Sequence, residues 1–280
     1  MLPGLFTSPS PTESCYVPAV SDATWTAVLS VFSLLVGLSV GSFLNVVIYR
    51  VPLGLSVIRP RSFCPGCNRE LTSKENTPVL SYLLLRGRCA TCRAPISPRY
   101  PLIEAATALL FFGFGLEFSH DPRLPALWIF VSGALALSVI DVETFRLPTP
   151  LVRWHFGLTT SALLVAAVAT QSIRQAIVAL CCMAFWAGSF ALIAAVAPGK
   201  LGGGDVRFAS VLGLMTGAFG AGTMLVGYFA SSFLGLLVSL ILIARGKMDA
   251  KQPLPFGCYL AAGATLAIAI SPLLPSRFQL

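Results

Sequence analysis

The chain has 280 residues, 56% of them hydrophobic and only 11% charged, with a mean hydropathy of +0.82 and a net charge of +8. That balance excludes an ordinary soluble domain and describes an integral membrane protein. The surplus of Lys and Arg needs no nucleic-acid partner, because loops on one membrane face account for it.

Residues 1–24 are rich in Pro, Ser and Thr and read as an outer N-terminal tail. They lack the basic start of a cleaved signal, and the first apolar run is too long for one, so that run stays as an anchor. A helix rises about 1.5 Å per residue, so about 20 apolar residues cross the hydrocarbon layer. Spans are expected near 25–48, 102–119, 125–141, 152–170, 175–197, 221–244 and 256–273. A shorter stretch, 206–217, reads as an eighth that tilts or enters from a hinge. Four units follow: the tail 1–24, a first transmembrane helix 25–51, a polar domain 52–100 and a transmembrane domain 101–280. If 49–101 is cytoplasmic, alternation puts 16 of the 19 Lys and Arg on that side, flanks included, and leaves Arg123, Arg174 and Arg277 opposite. The N-terminus then lies outside, in the cytoplasmic (inner) membrane. No fixed repeat is visible, and the glycines at Gly213, Gly217, Gly220, Gly222 and Gly227 permit close helix approach.

The polar domain carries Cys64-Pro65-Gly66-Cys67 and Cys89-Ala90-Thr91-Cys92, with 21 residues between the two motifs. Two such knuckles deliver four thiolates to one tetrahedral zinc. A reducing compartment argues against disulfides, and a segment poor in large apolar side chains draws its folding energy from a metal. Four sulfur ligands leave no open position, so the zinc is structural. Cys15, Cys181, Cys182 and Cys258 read as small apolar filler.

Acids are scarce here, which makes two of them conspicuous. Asp141 closes a span just before Leu147-Pro148, and Asp205 follows Gly202-Gly203-Gly204. Both fall on the basic face. Two carboxylates brought together can share a proton and activate water, one acting as base while the other polarises a carbonyl. The alternative is that each acid simply sits in the headgroup zone. Glu143 rivals Asp141, but positions i and i+2 face different sides of a helix, so only one can aim inward. His120 and His155 have no partner at metal spacing. Glu104 is a weaker candidate for cofactor binding; its alternative is a capping or snorkelling acid in the first turn of its helix.

From about Gly41 to about Gly263 the chain resembles the type IV prepilin peptidases, membrane aspartic proteases also called prepilin leader peptidase/N-methyltransferases. The likeness rests on the run from Gly41-Ser42-Phe43-Leu44-Asn45 to Tyr49-Arg50, the paired knuckles, and Leu80-Ser81-Tyr82 through Cys89. It continues through Ile96-Ser97-Pro98-Arg99-Tyr100-Pro101-Leu102-Ile103-Glu104, Ile140-Asp141, the GxGD of Gly202 to Asp205, and Pro255-Phe256-Gly257. The resemblance implies an all-α polytopic membrane protein of about eight transmembrane helices, with a small zinc-binding cytoplasmic domain between the first two. It implies catalysis by Asp141 and Asp205, with Gly202 and Gly204 supporting the catalytic loop. It implies cleavage of a basic leader from prepilin and pseudopilin precursors at the cytoplasmic face, after a glycine. It also implies N-methylation of the new terminus with S-adenosylmethionine. The chain departs from the family pattern in four places. Thr149 stands where an Asp often follows Leu-Pro, the Gly199–Asp205 hinge is short, Arg207 replaces a usual lysine, and Cys258 a frequent proline.

Three alternatives stay open. A peptidase without methylation keeps the knuckles for folding or docking. A transporter would use the two acids as an ion or proton relay, against which stand their shared face and the lack of an inverted repeat. A non-catalytic scaffold for pilus assembly would leave both acids without a role.

Overall fold

A computed structural model describes residues 21–199, 201–246 and 254–275. Most of the expected tail, Cys15, Lys200, Lys247, Lys251 and Arg277 lie outside the described residues. Among those described the chain is helical: α1 (Asp22–Arg50), α2 (Leu80–Leu84), α3 (Arg99–Glu117), α4 (Leu124–Thr144), α5 (Thr149–Thr170), α6 (Ile173–Val196), α7 (Gly203–Gly217), α8 (Ala221–Ala244) and α9 (Phe256–Ala269). Six of these (α1, α3, α4, α5, α6 and α8) are long and apolar enough to cross a membrane, so this is a multi-pass membrane protein. The termini obey local chemistry. Ser21 caps α1 by accepting the Thr24 N–H, Ser172 likewise caps α6 from Gln175, and α4 and α5 each carry proline in the first turn.

Burial runs opposite to a soluble bundle. Helix α8 buries Gly222, Thr223, Met224, Gly227, Ser231 and Gly235, while Phe229, Phe233, Leu236 and Leu240 face outward. Lipid is as apolar as leucine, so what draws helices together is close backbone approach between small residues. Gly37 and Gly41 do this for α1: a Cβ on either would stand 2.7 Å from the Cα of Ala108 or Glu104 in α3. Gly213 and Gly217 do the same for α7 against α6, at the Cys182 carbonyl and the Ala179 Cα.

The short helix α7 is the centre of the molecule. Every residue from Phe208 to Gly217 except Ser210 is buried, within a core that includes Phe130, Leu137, Trp186 and Leu260. Protein surrounds it, so it need not match the bilayer thickness by itself. It also begins earlier than the apolar run foretold, at Gly203 and not 206, because Asp205 acts within its first turn. The last helix stops at Ala269 and not 273; Pro272 cannot continue the ladder, and a 3-10 turn at Ser271–Leu273 replaces it.

Consecutive long helices alternate in direction, so the C-termini of α1, α4, α6 and α8 meet the N-termini of α3, α5, α7 and α9 at one end. Contacts such as Arg99–Glu143, Arg207–Thr149 and Gly257–Asp141 fix that end. The segment 52–98 sits there. At the other end Trp25 and Thr26 reach Ser119.

Candidate active site and metal centre

Asp141 lies in the last turn of α4 and is only 5% exposed. Its Oδ2 accepts the Gly257 N–H at 2.7 Å, with the Cys258 N–H also directed at the carboxylate. Those are N–H groups of the first turn of α9, left without partners within their own helix, and the helix dipole there favours an anion. Asp205 sits in the first turn of α7, and its Oδ2 accepts the Gly202 N–H at 3.2 Å. It is half-buried, while Gly202 and Gly203 beside it are exposed. Each carboxylate therefore stands at a helix N-terminus, one buried and one at an opening, and Asp205 lies within the electrostatic field of Asp141. No lysine or arginine among the described residues forms an ion pair with either acid.

The hinge after α4 locks the two termini together. Phe145 takes a left-handed conformation (φ 52°) that ends α4, and the chain turns so that Leu147 drops between α7 and α9. A Cβ on Gly204 would meet the Leu147 side chain at 2.8 Å; one on Gly257 would meet it at 3.3 Å and Asp141 Oδ2 at 2.9 Å. Leu147 was not among the expected site residues, for its contact is tertiary and the sequence shows only a Leu-Pro break. Gly257→Ala is expected to lower the rate of any reaction at this pair about a hundredfold, because an ångström of misplacement costs that much. Alanine favours a helix over glycine, so the loss would not come from α9 melting. Wild-type turnover by a variant of wild-type abundance would show that the Gly257–Asp141 contact does not matter.

The structure separates Asp141 from its rival. Glu143 is exposed and pairs with Arg99 of α3 at 2.5 Å. Arg207 bonds Thr149 Oγ1 at 3.4 Å, so the position where relatives of the resembled family often carry an acid is here a hydroxyl tying α5 to α7. His155 is wedged in the core between Phe130 and Phe208, its space left by Gly133. Glu104 does not cap its helix. It lies a turn beyond the N-terminus of α3, 8% exposed, and Oε2 accepts the Val79 N–H at 2.7 Å.

The four cysteines form two copies of one knuckle. Phe63 bridges Glu70 and Arg88 bridges Pro95, the same offsets about each motif. A left-handed residue follows each second cysteine, Asn68 (φ 54°) and Arg93 (φ 59°), and its N–H returns to the carbonyl of the first. All four Sγ atoms lie within 4.8 Å of one another, Cys64 and Cys92 at 3.7 Å. A tetrahedron of sulfurs about 2.3 Å from a metal has edges of about 3.8 Å, so the residues fit a bound ion. The Cys92 and Thr91 N–H groups point at the Cys89 sulfur and hold that thiol down at about 6, toward the thiolate a metal takes. Nearby, the Arg69 guanidinium, with the backbone and hydroxyl of Thr72, holds the Glu75 carboxyl down at about 2.

Comparison with known proteins now bears on the chain. Residues 35–118 match the bacterial peptidase A24 N-terminal domain, and 128–240 match the type IV leader peptidase family. A protein of Bacillus subtilis named prepilin leader peptidase/N-methyltransferase is 33% identical across 82% of this chain and 90% of its own. The chain belongs to the type IV leader peptidase family. A Pseudomonas aeruginosa protein of the same name is 34% identical over 84% of this chain and 88% of its own. One from Myxococcus xanthus reaches 50% identity over 119 residues, 42% of this chain and 36% of its own. No solved structure matches. The first match takes in the knuckles and Glu104, the second both aspartates.

Proposed function

We propose that Asp141 and Asp205 are the acid pair with which this prepilin leader peptidase/N-methyltransferase hydrolyses its substrate. The observation that carries this is the meeting of two helix N-termini, each holding one carboxylate by a backbone N–H, with neither carboxylate in an ion pair among the described residues. Two like charges in a site of low dielectric hold one proton between them. The ionised member takes a proton from water while the protonated member donates to the scissile carbonyl oxygen, and the water oxygen attacks the carbonyl carbon. Collapse of the tetrahedral species returns one of its hydroxyl protons to the pair and expels the amine, which takes a proton from the pair's other member, so the pair again shares one proton. Gly202 and Gly204 serve by leaving room, the first at the exposed lip and the second against Leu147.

The excess of Lys and Arg supports placing this face in the cytoplasm, with the zinc loop there and the N-terminus outside. A precursor with a basic leader and an apolar mature start, a prepilin or pseudopilin, would then approach along the bilayer and present its glycine junction at headgroup level. Division of labour largely follows the expected units: 101–280 for hydrolysis, 52–100 with the end of 25–51 and the first turns of α3 for methyl transfer. The four cysteines hold zinc as a structural ion. S-adenosylmethionine, when bound, would supply an electrophilic methyl group for the freed amine.

The test uses membranes containing the full chain and a precursor bearing a basic leader and a glycine junction. Mass spectrometry of the product is expected to find the N-terminus directly after the glycine, heavier by one CH2 when S-adenosylmethionine is supplied. Cleavage without added mass would leave a peptidase alone. An intact precursor would remove the hydrolytic reading.

A further inference from the structure

A cavity of about 430 Å³ lies between the metal knuckles and the membrane-proximal ends of α1 and α3. That volume falls in the range of about 300–1,000 Å³ typical of small-molecule sites. Its polar lining is unusual because charges are buried there without countercharges. Glu104 is 8% exposed, and its bonds are to the Val79 N–H and the Ser42 hydroxyl. Arg50 is 6% exposed and spends its guanidinium on the carbonyls of Ser56 and Arg61. Neither pairs with an opposite charge among the described residues. Asn45, 3% exposed, donates from Nδ2 to the carbonyls of Tyr100 and Gly41, which fixes its amide, and Oδ1 is left buried with no partner.

Such groups are costly unless something completes them. Val79, whose N–H meets Glu104, is a β-branched residue at φ 58°, a conformation that persists where surrounding contacts enforce it. Tyr82 and Tyr100 add aromatic faces to the same wall. Glu75 also lines it but is paired with Arg69, so the cavity offers one unpaired anion, one unpaired cation, one orphan acceptor and flat apolar surface. That is the complement of a zwitterion carrying an extra positive charge and an aromatic base.

We infer that this cavity is the methyl-donor site, taking S-adenosylmethionine with its sulfonium and ammonium toward Glu104, its carboxylate toward Arg50 and a donor group on Asn45 Oδ1. This rests on the methyltransferase reading above and assigns residues to it. Hydrolysis and methylation then use separate sites at one face, joined through the Arg99–Glu143 pair between α3 and α4.

The experiment measures binding of radiolabelled S-adenosylmethionine by equilibrium dialysis to the full chain in detergent with its metal in place. Glu104→Gln can still accept the Val79 N–H through its carbonyl oxygen but lacks the charge. With wild-type metal content and elution, it is expected to raise the dissociation constant about tenfold or more, as loss of a charged contact does. Ultraviolet cross-linking of the labelled donor to the unaltered chain is expected to mark peptides within 45–104. Wild-type binding by Glu104→Gln, or label on α4–α9 alone, overturns the assignment while leaving methyl transfer intact. A wild-type chain that neither binds the donor nor adds the methyl overturns the methyltransferase reading and the cavity with it.

Discussion

Asp141→Asn and Asp205→Asn are each expected to slow leader removal by at least about 10³-fold, while Glu143→Gln stays within a few-fold of wild type. Asparagine keeps the shape of the carboxylate and can still accept the Gly257 or Gly202 N–H, so the helix termini stay in place. What it lacks is the ability to exchange a proton with water. One member must be ionised and the other protonated, so loss of either should cost nearly as much as loss of both, and the double variant should be hardly worse than the singles. Glu143 is exposed and engaged with Arg99, so its charge is irrelevant to the pair. The measurement is the initial rate of cleavage, at equal amounts of each variant in the membrane. Residual cleavage above about a tenth of wild type in either asparagine variant would exclude acid–base chemistry at this pair. Strict additivity in the double variant would mean that the two acids act independently and not as a unit.

How much of this could be read from the chain depends on the distance over which each fact is decided. Membrane spans are local: a run of apolar residues must cross or be buried, and all seven expected ones coincide with helices. That only one of Asp141 and Glu143 could face inward was also local, since residues two apart on a helix point to different sides; that the buried one is Asp141 needed the fold. The knuckles were legible because ligand spacing is a covalent constraint, though their repetition extends further than the four cysteines. The same offset to a left-handed residue recurs at Asn68 and Arg93.

Other features depend on approach between distant elements. The start of α7 was set three residues late because Gly202-Gly203-Gly204 reads as a hinge. Asp205, bonding back to Gly202, turns two of those glycines into helix. Leu147 and Gly257 carry no chemistry of their own and matter only because α4, α7 and α9 converge. Arg50 looked like one more positive charge in a basic loop and is in fact buried. Glu104 was a weaker candidate for cofactor binding in sequence, and the alternative of a first-turn cap does not hold: its carboxylate accepts the Val79 N–H at the start of α2. Glycine spacing stands between these cases. Gly37 and Gly41, like Gly213 and Gly217, announce a close contact four residues apart, but only the fold says with which helix.

Removal of the metal is expected to unfold the segment 52–98 and leave the helices standing. Of the residues in that segment, only Cys64 and Cys89 are buried hydrophobics. Two isolated bridges and a five-residue helix are all its regular structure. An ordered residue costs about 1–2 kcal/mol of backbone entropy, which two buried side chains cannot offset. A structural zinc contributes about 10–16 kcal/mol in small metal-folded domains, which is the right order for what is missing here. Chelation at neutral pH, or Cys64→Ser with Cys67→Ser, should therefore let trypsin cleave at Arg86, Arg88 and Arg93, whose side chains are exposed but whose backbone the knuckle holds folded. The bundle from α3 to α9 should keep its elution position, because its core lies among α4, α6, α7 and α9. Donor binding in the cavity should fall with the knuckles, since Phe63, Cys64 and Cys89 form part of its wall. Elemental analysis of the untreated chain should count one zinc per molecule. A chain that holds no metal as purified and still resists trypsin between α1 and α3 would mean that some other contact orders this segment. The Arg69–Glu75 pair is a further contact there, yet it is a partly exposed ion pair of the kind that contributes little.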